Sequence, residues 1–159
     1  MKSPFPVIQC LAELARVHHA DQPVFNELGF ARIPTANGLT FDCFVPPEGG
    51  EMIVFIVIGE IPAAKRAGIL IHALRANLHQ DTNFGSVLAY HEERNLLTVQ
   101  QTWMIHSLEP AVFVKAMEAM KQVADLWLNR IEPHNRGLEG NKVSASLPFF
   151  SEMRALRIA

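Results

Sequence analysis

Seven histidines in 159 residues are the first side chains here that could hold a metal, since neutral imidazole is a common ligand for zinc and related ions. Their spacing works against a site. His72 and His79 share a helical face but sit about 10 Å apart along the axis, too far to meet at one ion. His18 and His19 are adjacent and diverge, and His91-Glu92-Glu93-Arg94 lacks the second histidine of the metalloprotease motif. A serine nucleophile needs a sharp, exposed turn, yet Phe84-Gly85-Ser86-Val87-Leu88 carries only the first half of Gly-x-Ser-x-Gly, so Ser86 reads as an ordinary strand residue. Glycines cluster only at Gly49-Gly50, and neither Gly-x-x-x-x-Gly-Lys nor Gly-x-Gly-x-x-Gly is present to cradle phosphate. Glu92 and Glu93 are neighbours in a polar turn, where both carboxylates stay solvated and ionised instead of dividing into acid and base. The expectation is a binding protein with no catalytic residue, no metal and no cofactor. Because catalytic groups can converge from distant positions, a small-ligand-binding or enzymatic α+β domain stays an alternative, as does a structural subunit of an assembly.

Composition narrows the class. A hydrophobic content of 49% is enough for one core without staples, and a net charge of −2 with basic residues scattered singly offers no footprint for nucleic acid. The longest apolar run, Met52 to Ile58, is far below the ~20 residues of a membrane span. The start, with prolines and with charges at Glu13 and Arg16, reads as a retained amphipathic helix and not as a signal peptide. That places the chain in the cytoplasm, where Cys10 and Cys43 read as buried thiols in preference to a disulfide.

The elements that would position any site follow from periodicity. Val7, Ile8, Leu11, Leu14, Ala15 and His18 recur at helical offsets. Leu28, Phe30 and Arg32 alternate toward Pro34 as a short strand. Asn37-Gly38 is a turn dipeptide, and Leu39 to Val45 alternates after it. Met52 to Ile61 is β-branched on both faces, as expected of a central strand covered on both sides. Ala63 to His79 has helical composition. Phe84 to His91 and Asn95 to Ile105 read as an antiparallel pair joined by Glu92 to Asn95. Glu109-Pro110 then opens a helix carrying Phe113, Met117, Met120, Ala124, Trp127, Leu128 and Ile131. The order α-β-β-β-α-β-β-α implies an α+β fold, a twisted antiparallel sheet with helices packed on it. One domain is expected over residues 1–132, with 133–159 a mobile tail bearing the apolar patch Leu147 to Phe150.

The second helix has more apolar surface than one sheet can cover. Leu70, Ala73, Leu74, Asn77 and Leu78 occupy one side, while Ala67, Ile69, Ile71 and Ala76 extend the apolar character around most of the rest. Self-association is the expected outcome, unless the tail folds over the helix.

The order of elements, together with IQCLAELARV, Leu39-Thr40-Phe41-Asp42, MIVFIVIGEIP, ILIHALRANLHQ with its Ala76-Asn77-Leu78, FGSVLAYHEERNLLTVQQTW and VFVKAMEAMKQVADLWLNRI, resembles the Tir-chaperone (CesT-like) family over about residues 5–132. These are class I chaperones of type III secretion effectors. The resemblance implies a bacterial cytoplasmic homodimer built largely on the second helix and the late hairpin, with Leu70, Ile71, Leu74 and Leu78 at the interface. It also implies that an extended, non-globular effector segment is kept stable and secretion-competent, with Leu11, Leu14, Phe30, Phe41 and Phe44 as candidate contacts, or alternatively as plain core. The partners implied are a secreted effector protein and a second copy of the chain, with the secretion ATPase as a further candidate.

Overall fold

The computed structural model describes residues 5–79 and 83–131. Helix α1 (Phe5–Val17) leads to β1 (Phe30–Pro34), β2 (Thr40–Phe44) and β3 (Glu51–Glu60). A single 3-10 turn, Ala63–Lys65, opens α2 (Arg66–Leu78). Strands β4 (Val87–His91) and β5 (Leu96–Met104) and helix α3 (Pro110–Ile131) complete the order. All five strands pair antiparallel in the order β1-β2-β3-β5-β4, so the β-branched β3 lies at the centre, as its composition predicts. The tail, with its Leu147 to Phe150 patch, lies outside the described residues.

Strand parity sorts the side chains into two clusters. Ala31, Ile33, Phe41, Cys43, Met52, Val54, Ile56, Leu97 and Val99 face the helices and join the stripes of α1 (Val7, Cys10, Leu11, Leu14) and α3 (Phe113, Met117, Met120, Trp127), plus Ile69 and Ala73 of α2. Fully burying one Leu or Phe contributes about 1.5–3 kcal/mol, so this layer dominates stability. Phe30, Phe44, Ile53, Phe55 and Leu96 form a second cluster on the opposite face, to which no described helix contributes. Between α1 and α3, His18 Nε2 sits 2.6 Å from Glu118 Oε1, and the His18 ring tilts against Phe41.

Two expected strand starts are displaced, both by turn chemistry. Leu28 falls outside β1 because the Asn26 carboxamide oxygen accepts the N–H groups of Leu28 and Phe30 at 3.0 and 2.9 Å, folding the chain into an Asx turn. Gly29 follows at φ +83°, and a Cβ there would lie 2.4 Å from the Val45 carbonyl oxygen. Gly29→Ala should therefore cost about 2–3 kcal/mol, read as a lowered urea midpoint at unchanged slope. Phe84, also at positive φ, and Gly85 turn the chain before β4, so Ser86 precedes the strand instead of belonging to it. Its buried hydroxyl accepts a 2.9 Å bond from Gln101 Nε2, which fits a structural role and no nucleophilic one.

Both thiols are buried and free. Desolvation pushes Cys10 up to about 11, and burial with the nearby Asp42 charge pushes Cys43 higher still. Since the thiolate is the reactive form, native protein at pH 8 should resist iodoacetamide, whereas urea-unfolded chain should take up one label on each cysteine, read by intact mass.

Candidate functional site

Helix α2 has two apolar faces on opposite sides. At 100° per residue, Ile69, Ala73, Ala76 and Asn77 collect on the side turned to β4, while Ile71, Leu74 and Leu78 collect about half a turn away. The inner side is buried at Ile69 and Ala73; on the outer side Ile71, Leu74 and Leu78 are 50%, 67% and 80% exposed, with Leu70 half-buried between the two. Three large aliphatic side chains in line on a helix of 13 residues form a ridge that water does not stabilise.

The five candidate contacts divide between the sheet faces. Leu11, Leu14 and Phe41 have no exposed surface and hold α1 to the sheet. Phe30 and Phe44 are register partners on the other face, with rings stacked at 4.4 Å between centroids. Beside them, on the same face, Arg32 Nε donates to Asp42 Oδ1 across the β1–β2 pair at 2.7 Å. Asp42 is nearly enclosed, and desolvation raises its carboxyl above the ordinary value despite the opposing pull of Arg32. The structure brings Phe30, Phe44, Arg32 and Asp42 together at the β1 side of the sheet. Sequence reasoning missed the Arg32–Asp42 pair; its residues lie across a turn from one another, and the Asn37-Gly38 dipeptide that sets the register was the available signal.

None of the histidine pairings assembles a site: among the described residues no group of three or more His, Cys, Asp or Glu could hold a metal ion. Nor, among them, is any helix long and apolar enough to cross a membrane.

Residues 9–128, running from within α1 to within α3, match the sequence pattern of a known protein family. The chain belongs to the Tir chaperone protein (CesT) family. A sequence comparison with curated proteins finds no match. Among solved structures, this CesT-family chain is similar to a chain of the ExsC–ExsE complex, with a TM-score of 0.66 and 15% identity over 82% of this chain and 97% of that one. A chain of the HopA1–SchA chaperone–effector complex matches at 0.61 and 14% identity, over 78% and 94%. The Yersinia pestis type III secretion chaperone SycH, in complex with a fragment of YscM2, matches at 0.59 and 17%, over 76% and 98%. At these identities the likeness is one of fold, and it extends over nearly the whole of each neighbour. The element order and the five-stranded antiparallel sheet expected from the sequence are those of the family.

Proposed function

We propose that this CesT-family chain acts as a homodimer that binds an extended, non-globular segment of a secreted effector in the bacterial cytoplasm and keeps it competent for type III secretion. The observation that carries the reading is the family match over residues 9–128; the chaperone–effector complexes among the structural neighbours point the same way. The outward ridge of Ile71, Leu74 and Leu78, flanked by Leu70, suits a second copy of the chain. On the sheet, Phe30 and Phe44 are buried, at 7% and 6% exposed, and act from beneath by fixing β1 against β2, as Leu11, Leu14 and Phe41 fix α1 on the opposite face. Neither catalysis nor a metal enters this role. Ordering a disordered segment costs entropy, so several apolar anchors and main-chain bonds must act together over a large surface.

Affinity purification of the full chain from its own bacterium, followed by limited proteolysis, tests this. The expected result is one dominant secreted protein, protected over an extended N-terminal region, with no ATP hydrolysis by the complex. A stoichiometric small molecule instead would favour a ligand-binding or enzymatic domain, and several fixed cytosolic subunits a structural role.

A further inference from the structure

Side chains stand roughly perpendicular to a sheet, so on a face with nothing packed over it their tips meet water. Helices α1 and α3 cover one face of this sheet. Helix α2 packs along β4, where Asn77 Nδ2 donates to Leu88 O and Asn77 Oδ1 accepts the Leu88 N–H, each at 2.8 Å. On the other face Phe30, Phe44, Ile53, Phe55 and Leu96 are nonetheless buried, Phe55 to 1% exposure, although every described member of that cluster is itself on the sheet. This is the burial of a single protomer with no second copy present, so the cover belongs to the same chain. It is also uneven. Val87 and Thr102 share the face through their register with Gln100 and Ile53, and both are exposed. The shielded strands are therefore β1, β2 and β3.

Three stretches lie outside the described residues, 1–4, 80–82 and 132–159. The first, Met-Lys-Ser-Pro, leads into α1 on the opposite face, and the second, Gln-Asp-Thr, is polar throughout. The third alone has the length and the apolar content, in Leu147-Pro148-Phe149-Phe150. Helix α3 delivers it beside the shielded strands. Asn37 Nδ2, in the β1–β2 turn, donates to Asp125 Oδ1 at 2.6 Å, and Leu128 lies over Gly59 near the end of β3. Fifteen residues, 132–146, separate Ile131 from Leu147. They can span about 50 Å, more than the roughly 33 Å length of the ten-residue β3. The ridge of α2 is a poorer seat for this segment, because Ile71, Leu74 and Leu78 are exposed in the same protomer whose sheet face is buried.

We propose that Leu147-Pro148-Phe149-Phe150 packs on the Phe30, Phe44 and Phe55 face of its own protomer, as a second layer over β1, β2 and β3. The C-terminal segment is then part of the fold, and a partner reaching this face has to displace it. This docking does not depend on the function proposed above.

The test uses the full chain with Ser151→Cys carrying a nitroxide spin label, followed by NMR. Cys10 and Cys43 are buried and stay unlabelled in native protein. Amide signals of Phe30, Phe44 and Phe55 should lose intensity relative to the reduced label, while those of Leu74 and Leu78 keep theirs. Adding Phe149→Ser and Phe150→Ser to the labelled chain should restore the lost signals and let the folded protein bind anilinonaphthalene sulfonate, as an uncovered apolar face does. Phe5→Ser, which removes an exposed ring of α1, should change neither readout. Circular dichroism reports whether each variant keeps its fold, and the Ser151→Cys result stands by itself if the double variant unfolds. Undiminished signals on the sheet face, or loss at Leu74 and Leu78 instead, overturns the proposal. Loss of the Phe30, Phe44 and Phe55 signals in isotope-labelled wild type mixed with unlabelled, spin-labelled chain would seat the segment on a second copy and also overturns it. A folded double variant that still loses those signals removes Phe149 and Phe150 as the anchors.

Discussion

Leu74→Asp should give a folded monomer, and the wild-type chain should be a dimer at micromolar concentration. Leu74 is 67% exposed within the protomer, so a carboxylate there keeps its water, and the cost to the fold is about 1 kcal/mol or less, mainly helix propensity. Across a two-fold axis the substitution meets its own copy: each protomer loses an aliphatic contact and buries a charge against another of the same sign. Stranding a charge in an interface costs about 3–5 kcal/mol, or roughly 10²–10⁴ in Kd. Light scattering reports the mass and circular dichroism the fold. A wild-type monomer at micromolar concentration would remove the ridge from the proposed interface, whereas loss of fold in the variant would mean that Leu74 supports the protomer itself.

Phe41→Ala should have the opposite character, with large loss of stability and no selective effect on association. Phe41 has no exposed surface, lies at the centre of the main cluster and touches the His18 ring that meets Glu118 on α3. Removing it leaves a cavity under α1 that the three elements around it cannot close without breaking the His18 contact. The expected cost is about 3–5 kcal/mol, a fall of roughly 10–15 °C in Tm, measured by thermal unfolding at one fixed protein concentration. A loss below about 1 kcal/mol would show that α1 does not depend on this side chain.

The contrast between these two residues shows how far the sequence could be followed. Periodicity identified α1, α3 and the central β3, because a stripe at three and four, or a run of β-branched residues, has one economical packing. It also exposed the apolar surplus on α2, but it grouped Leu74 and Leu78 with Ala73, which the packing on β4 separates: Ala73 is buried on the inner side, while Leu74 and Leu78 are exposed on the outer. Phe41 and Phe44, in contrast, alternate correctly along β2 without revealing which parity meets the helices; that depends on where α1 and α3 return. The starts of β1 and β4 were obscured because Asn26 and the Phe84-Gly85 turn override strand propensity locally. Asn77 was noticed only as a member of one side of α2 and of Ala76-Asn77-Leu78. Its bonds to Leu88 join residues on two elements, and such a partnership leaves no periodic trace.

The thin attachment of α2 has a thermodynamic consequence. Its buried residues are Ile69 and Ala73, supplemented by the Asn77 bonds to Leu88, so an isolated protomer should open this helix well below the free energy of global unfolding. In the proposed dimer the helix is enclosed from its outer side as well, and assembly becomes part of folding. Mass action then governs the melting curve: each tenfold rise in concentration adds about 1.4 kcal/mol per dimer to the folded state. Dilution should lower the melting temperature of wild type and leave that of Leu74→Asp unmoved, which makes the abundance of the chain in the cell one of the terms that keeps it folded.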